Sequence, residues 1–330
     1  MNEDKLRAAA TWSLLCEPGD SVAGMLRRIL GVEESLFEIR RAKSAKDILP
    51  LLTEDFFRAP QFISTLEDSL ECWQRRLATV NVDRAIETLK ALDGFLLSSD
   101  SPLWPRGLVD LGDSAPSVLW VLGNQKVFEN SSTISVVGSR VASSYGLEVT
   151  RDLVSTAVRN GFVTISGGAL GIDACAHKSA LLVGGKTIAV MAGGLDRLYP
   201  GTVISEMPPG TAPARWRFLQ RNRLIAAIGQ ATVVVEAGFK SGSINTAGHA
   251  NELDRPVGAV PGPINSTRSA GCHRLIKERR AELICTPADL EELLSVRNQS
   301  LTTNTGLSGT QTRVLDSFGY FEQGIERVAA

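Results

Sequence analysis

Residues 1 to about 100 repeat their apolar positions at helical spacing. Leu6, Ala9, Ala10, Leu14 and Leu15 recur in this way, as do Val22, Met25, Leu26 and Ile29. Such stripes predict amphipathic helices, and no strand-like alternation of any length interrupts them. Gly31 and Gly94 stand near the ends of helical runs, where a C-cap glycine belongs. Ser98-Ser-Asp-Ser-Pro-Leu-Trp-Pro105 gathers turn formers with two prolines and marks a connection.

From Ser117 the period changes. Apolar runs at 118–122, 134–137, 163–165, 187–191, 232–235 and 257–260 are three to five residues long and rich in Val and Ile. Most are separated by stretches long enough for a helix. Short, continuously apolar strands alternating with helices predict an α/β fold with a mostly parallel sheet covered on both faces. Ligands of such a sheet bind at the carboxyl ends of its strands. Thr286 is placed to cap one more helix. Residues 297–309 then read as a polar linker, and 310–330 resume an amphipathic pattern through Val314, Leu315 and Phe318.

Two strands end in glycine-rich turns. One places Gly138, Ser139 and Arg140 at its end, and the next places Ser166, Gly167 and Gly168 ahead of Gly171 and Asp173. Glycine lets the backbone turn and approach a ligand, while the following helix offers free N–H groups and a positive dipole end to an anion. Each turn also has a plainer reading. The first can be a tight βα connection with a solvated arginine, and Asp173 a helix-start carboxylate. His177 fits a packed helix position as well as it fits a base. Lys240, Ser241, Gly242 and Ser243 form a third phosphate-sized bend, with Asn245 or Thr246 as helix cap.

The segment Arg215-Trp-Arg-Phe-Leu-Gln-Arg-Asn-Arg-Leu-Ile-Ala226 carries four arginines within nine residues, interleaved with Trp216 and Phe218. No acid occurs from Met207 through Val235. An arginine run is commonly a solvated face, but here Leu224, Ile225 and Ala226 follow at once and anchor Arg221 and Arg223 to the folded body. Guanidinium forks hold phosphate oxygens and aromatic rings stack on unpaired bases, the mixture a single-strand groove requires. Farther on, Arg274, Lys277, Arg279 and Arg280 give a basic helix whose charged face reads as surface, with His273 solvated at its start.

Composition narrows the class. The 330 residues are 43% hydrophobic and 22% charged, with a net charge of −1, so the chain as a whole does not announce a nucleic-acid binder. The charge is uneven: residues 1–105 carry −4 and the remainder +3. Five scattered cysteines without a CxxC pair argue against a disulfide framework or a zinc site and suit a reducing cytoplasm. No run approaches the roughly 18 apolar residues of a membrane span. Walker A spacing is absent, as is a G-x-G-x-x-G with an acidic ribose partner, so a nicotinamide cofactor or an NTPase engine is not expected. Three histidines, with no HExxH or GxSxG, leave little material for a metal or a triad. Binding is better supported than catalysis, and no cofactor is expected.

At this point the motifs carry a resemblance. Gly138-Ser-Arg140, Ser166-Gly-Gly-Ala-Leu-Gly-Ile-Asp173 and Met191-Ala-Gly-Gly-Leu-Asp-Arg-Leu-Tyr-Pro200 resemble the DNA-processing protein A family (DprA, also called Smf). Ser205-Glu-Met-Pro-Pro-Gly210, Arg221-Asn-Arg-Leu-Ile-Ala226, Ser241-Gly-Ser-Ile-Asn-Thr-Ala247 and Val260-Pro-Gly262 continue the match in the family's order. The resemblance implies an extended Rossmann-like domain over 105–296 that binds single-stranded DNA, with no catalytic residue. It implies a homodimer that loads RecA recombinase onto DNA coated by single-strand binding protein, in natural transformation or recombination. It also implies a helical N-terminal domain of SAM or helix-hairpin-helix type over 1–100, and a truncated winged-helix-like domain starting at 310–330. The implied DNA contacts are Gly138, Ser139, Arg140, Ser166, Gly167, Gly168, Arg221, Asn222 and Arg223, followed by Lys240, Ser241, Gly242 and Ser243.

The chain departs from the family pattern in places. Pro200 runs straight into Gly201-Thr-Val-Ile-Ser-Glu206 without the helix usual there, Phe218-Leu-Gln-Arg221 replaces Phe-Pro-x-Arg, and Cys272-His273 stands where Thr-Asn is common. The competing reading is a Rossmann-like nucleotide phosphoribohydrolase, which also uses Ser-Gly-Gly turns. That class expects Pro-Gly-Gly-x-Gly-Thr followed by a catalytic glutamate, whereas Glu236 precedes the corresponding loop here.

Overall fold

The computed structural model describes residues 3–52, 60–129, 132–195 and 199–303. Its first part is helical: α1 (Glu3–Leu15), α2 (Ser21–Leu30), α3 (Val32–Arg41), α4 (Ala45–Ile48), α5 (Pro60–Leu77) and α6 (Val82–Ala91). Caps set the boundaries. Asp20 accepts from Ala23 N before α2, and Asn81 accepts from Arg84 N before α6, each satisfying an orphan N–H of a first turn. The inward stripes meet in one cluster containing Trp12, Leu26, Ile39, Leu66 and Trp73, with Trp12 and Trp73 edge to face at 5.3 Å.

The remainder forms a mixed sheet. Its strands are β1 (Phe95–Leu97), β2 (Leu119–Leu122), β3 (Thr133–Val137), β4 (Val163–Gly167), β5 (Thr187–Val190), β6 (Thr202–Ser205), β7 (Ala231–Val234), β8 (Val257–Ala259) and β9 (Glu282–Leu283). Among the described residues the spatial order is β1-β2-β6-β5-β4-β3-β7-β8-β9. Every pair from β6 to β9 is parallel, while β1–β2 and β2–β6 are antiparallel. The helices are α7 (Ser144–Arg159), α8 (Ile172–Leu182), α9 (Arg215–Ile228), α10 (Gly242–Glu252), α11 (Ala270–Lys277) and α12 (Pro287–Thr303). The fold is α/β and Rossmann-like, with clusters of buried apolar residues on both faces of the sheet.

Several expectations change. Phe95–Leu97 is a strand inside the stretch read as wholly helical, and the run at 118–122 pairs antiparallel rather than joining the parallel set. Strands β6 and β9 were not anticipated. β1 and β9 are the two edge strands and are too short to show a period, while β6 lies inside the sheet between β2 and β5 and is made by pairing on both sides, not by a long apolar run. Helix α12 continues into the expected linker at 297–309 as far as Thr303; the rest of that linker and the tail at 310–330 lie outside the described residues.

The helical part is packed against the sheet and shares a core with it. Ala9, Ala10 and Leu89 join Val118, Trp120 and Val203 in one cluster. Trp120 Nε1 donates to Ser13 Oγ at 3.1 Å, and Ser117 Oγ donates to the Ala9 carbonyl at 2.9 Å. Arg28 pairs with Asp113 at 2.8 Å.

From β3 the chain runs outward through β4, β5 and β6; from β7 it runs the other way through β8 and β9. β3 and β7 are neighbours, so the crossovers on either side leave in opposite directions. That reversal opens a crevice beyond the carboxyl ends of β3 and β7, the place where open α/β sheets bind their ligands.

Candidate nucleic-acid interface

Local chemistry fixes the turn after β3. Ser143 caps α7 by accepting from Gly146 N at 3.1 Å. The same serine gives its hydroxyl to Glu236 Oε1 (2.5 Å) and its backbone N–H to Glu236 Oε2 (3.0 Å). Glu236 lies just past β7, so its buried carboxylate ties the two central strand ends together. Ile172 N donates to Ser139 O at 3.1 Å, which binds the first glycine turn to the second. Gly171 is obligatory there: its φ is +80°, and a Cβ would stand 2.2 Å from Ser139 O.

Under these turns lies a buried polar floor. Asp173 accepts from Gly138 N and touches the Ser166 hydroxyl, with Arg221 beside it; burial outweighs these partners and pushes its carboxyl up to about 7. Arg221 Nη1 donates to the Val190 carbonyl, and burial lowers its guanidinium to about 10, still charged at neutral pH. His177 is held down to about 4 by burial. With Nε2–H donating to Gly167 O at 3.1 Å, its Nδ1 is left to face Thr187 Oγ1 at 2.6 Å. It is a neutral packing residue, edge to face with Tyr199 at 5.1 Å.

The Ser166-Gly-Gly turn therefore differs from the anion cradle expected of it. Ser166 is buried and donates to Val136 O at 2.6 Å. Gly167 is buried too, and a Cβ on Gly168 would meet Met191 Sδ at 2.5 Å. The group held beside this turn is the chain's own Asp173 carboxyl. None of Ser166, Gly167 and Gly168 lines the groove described next.

The arginines of α9 divide among different partners. Arg215 is exposed in the first turn, whereas Arg217 Nη2 meets Glu17 at 3.0 Å. Arg223 is buried and grips Glu206 through both terminal nitrogens at 2.7 Å, with Ser114 O as a further acceptor at 2.8 Å. Asn222 donates to Gly242 O and Asn245 Oδ1, both at 3.1 Å, and so holds the start of α10. Ser241 is the N-cap of that helix, accepting from Ser243 N, in place of the expected Asn245 or Thr246. His273, expected in solvent, has Nε2 2.9 Å from Gly262 O.

At the switch point these parts enclose an open groove of about 800 Å³. Of the expected contacts, Gly138, Ser139, Arg140, Arg221, Asn222, Lys240, Ser241, Gly242 and Ser243 line it; Arg223 does not. Arg140 is exposed and lies over the Phe218 ring at 5.0 Å. Arg215 and Lys240 are exposed on the same lining, and its one acid, Asp173, is buried. Thr246, expected only as a helix cap, and Ala169, within the second glycine turn, also enter the lining. Trp216 does not line the groove; Arg217 covers it at 4.9 Å. Chemically this is an anion groove with an arginine-stacked ring. Among the described residues no His, Cys, Asp and Glu group could hold a metal ion, and no helix is long and apolar enough to cross a membrane.

Comparison with known proteins agrees with this architecture. The family profile for DNA recombination-mediator protein A matches residues 95–295. A DprA-type protein of Mycobacterium tuberculosis is 36% identical over 89% of this chain and 76% of its own length. DNA processing protein DprA of Bacillus subtilis is 31% identical over 77% of this chain and 86% of its own. The X-ray structure of DNA processing protein A from Streptococcus pneumoniae superposes with a TM-score of 0.68 at 27% identity, covering 88% of this chain and 98% of that one. The same protein from Helicobacter pylori, whose structure concerns its single-stranded DNA binding mode, gives 0.55 at 27% identity over 61% of this chain and 96% of that one. By its motifs, its strand order and these similarities, the chain belongs to the DNA recombination-mediator protein A (DprA/Smf) family.

Proposed function

We propose that this protein binds single-stranded DNA along the groove at the β3–β7 switch point, and there acts as a recombination mediator that loads RecA onto DNA coated by single-strand binding protein. It works without a catalytic step or cofactor, as a homodimer in the cytoplasm, in transformation or homologous recombination. The carrying observation is that Arg140, Arg215, Arg221 and Lys240 line one groove whose one carboxyl is buried. Phosphates run past Arg140, Arg215 and Lys240 and over the Ser241-Gly242-Ser243 helix start, while Arg221 adds charge from beneath. The single-stranded ligand of the Helicobacter pylori relative supports the same choice here. The phosphoribohydrolase reading loses support because both oxygens of Glu236 are engaged by Ser143.

The test is a salt-titrated binding assay with single-stranded and duplex oligonucleotides of equal length. Single-strand affinity is expected to exceed duplex affinity and to fall linearly with log salt. Equal binding of both forms, or binding indifferent to salt, overturns the proposal. RecA filament formation on coated DNA, with and without the protein, tests the loading step.

A further inference from the structure

Strands β6, β5, β4 and β3 are parallel neighbours, yet they are not joined alike. Helix α7 carries the chain from β3 to β4 and α8 from β4 to β5, and the two pack side by side on one face of the sheet. A right-handed connection from β5 to β6 should lay a third helix beside α8, because parallel neighbours are usually joined through a helix. Residues 191–201 make the connection here, and none of those described, 191–195 and 199–201, is helical. Leu195 and Tyr199 fill part of the space, in one cluster with Ala189, Val203 and the helical part. Tyr199 meets α8 at its middle, edge to face with His177 at 5.1 Å. Leu181 lies one turn beyond His177 on the same face. Leu181, Leu182 and Val183 are 39%, 73% and 47% exposed, the one run of three consecutive exposed large hydrophobic residues among the described residues. Their backbone is fixed: Gly184 turns the chain at φ +75°, and Gly185 N donates to Ala180 O at 2.8 Å.

Single exposed apolar side chains are ordinary, but a contiguous set rimmed by charge marks an interaction surface. We propose that the last turn of α8 docks an amphipathic helix of a partner protein, apolar along one edge and acidic beside it. The shape follows from the missing crossover helix, whose berth alongside α8 is left open. Charge complementarity selects the acidic flank. Lys178 stands one turn before Leu182, and Lys186 follows the patch; both are exposed, and neither enters an ion pair. No acid occurs from Ala174 through Leu195. Leucine and valine offer no flat ring for a base to stack on, so a protein partner is favoured over nucleic acid. The patch also lies at the end of α8 remote from the groove. The helix begins where Ile172 N donates to Ser139 O, and it ends just before Thr187 opens β5. A partner seated there leaves the groove free, and the inference stands independently of the single-strand reading.

The experiment titrates the full chain against two labelled model helices of about four turns, each with leucine along one edge. One carries glutamates beside the leucines, the other lysines at the same positions. The glutamate helix is expected to bind about tenfold or more tightly than the lysine helix, and equally well in excess oligothymidylate. Leu182→Ser should weaken it about tenfold, the scale of one lost apolar anchor. Its melting temperature should match wild type, because the side chain is exposed. Lys178→Glu should shift the preference toward the lysine helix. Failure of the glutamate helix to bind, or equal binding of the two helices, overturns the proposal. Competition by oligothymidylate also overturns it and assigns the surface to DNA. Two readings of Leu182→Ser overturn it in favour of another occupant: a lower mass by light scattering means a second copy, and faster deuterium uptake at 310–330 means the chain's own last segment.

Discussion

Asp173 and Arg221 converge over the backbone of Gly167: a Cβ built there would stand 2.5 Å from Arg221 Nη1 and 2.6 Å from Asp173 Oδ2. The glycine makes room for two buried ionisable side chains directly beneath the groove. Gly167→Ala should displace Arg221 and cost about 1–3 kcal/mol, the usual penalty of overpacking. Gly168→Ala meets only Met191 Sδ and its terminal methyl, which can swing aside, so it should cost less. Urea denaturation of the two variants checks the order.

Two buried groups give opposite pH dependences. Burial lifts the Asp173 carboxyl from 3.8 to about 7, so between these values the folded chain holds a proton that the unfolded chain has lost. Its contribution to stability therefore falls as pH rises through that window. Burial lowers His177 from 6.5 to about 4, so the unfolded chain takes up a proton first and stability is lost as pH falls below 6.5. The two largely offset each other between those values. Asp173→Asn should leave stability rising up to about pH 6.5, then level; His177→Gln should leave it declining toward about pH 7. Urea midpoints measured across that range read the slopes.

Arg223 and Glu206 form a buried bidentate pair away from the groove lining. Arg223→Ala leaves Glu206 buried without its guanidinium and should cost about 3–5 kcal/mol of stability. The salt slope of single-strand binding by the fraction that stays folded should not change. A reduced slope with native stability would place Arg223 in the interface instead.

Arg140 is the converse case. It is exposed, with a ring rather than a carboxylate against it. Arg140→Ala should change stability by no more than about 0.5 kcal/mol. Single-strand binding should weaken at every sequence, with the salt slope reduced by about one. Thermal melting and anisotropy titrations separate the two effects.

Much of the site is legible along the chain because its signals are local. Val137-Gly-Ser-Arg140 and Lys240-Ser-Gly-Ser243 each show a strand end, a turn and a helix start within a few residues, and these turns do line the groove. The Ser166-Gly-Gly168 turn shows the same local pattern, yet its glycines serve close packing against Arg221, Asp173 and Met191. Nothing adjacent in sequence separates the two uses. Strands β1 and β9 escape detection because two or three residues are too few to display a period.

The sequence by itself determined that helices precede an α/β sheet, that glycine turns close its strands, and that residues 215–223 carry concentrated positive charge. Tertiary structure decided which of those charges remain free. Arg217 meets Glu17, Arg223 meets Glu206 and Arg221 reaches Val190, all partners distant in the chain, whereas Arg215 stays exposed. The physical reason is that a guanidinium can be buried only where acceptors replace its water, and those acceptors arrive from other elements when the sheet closes.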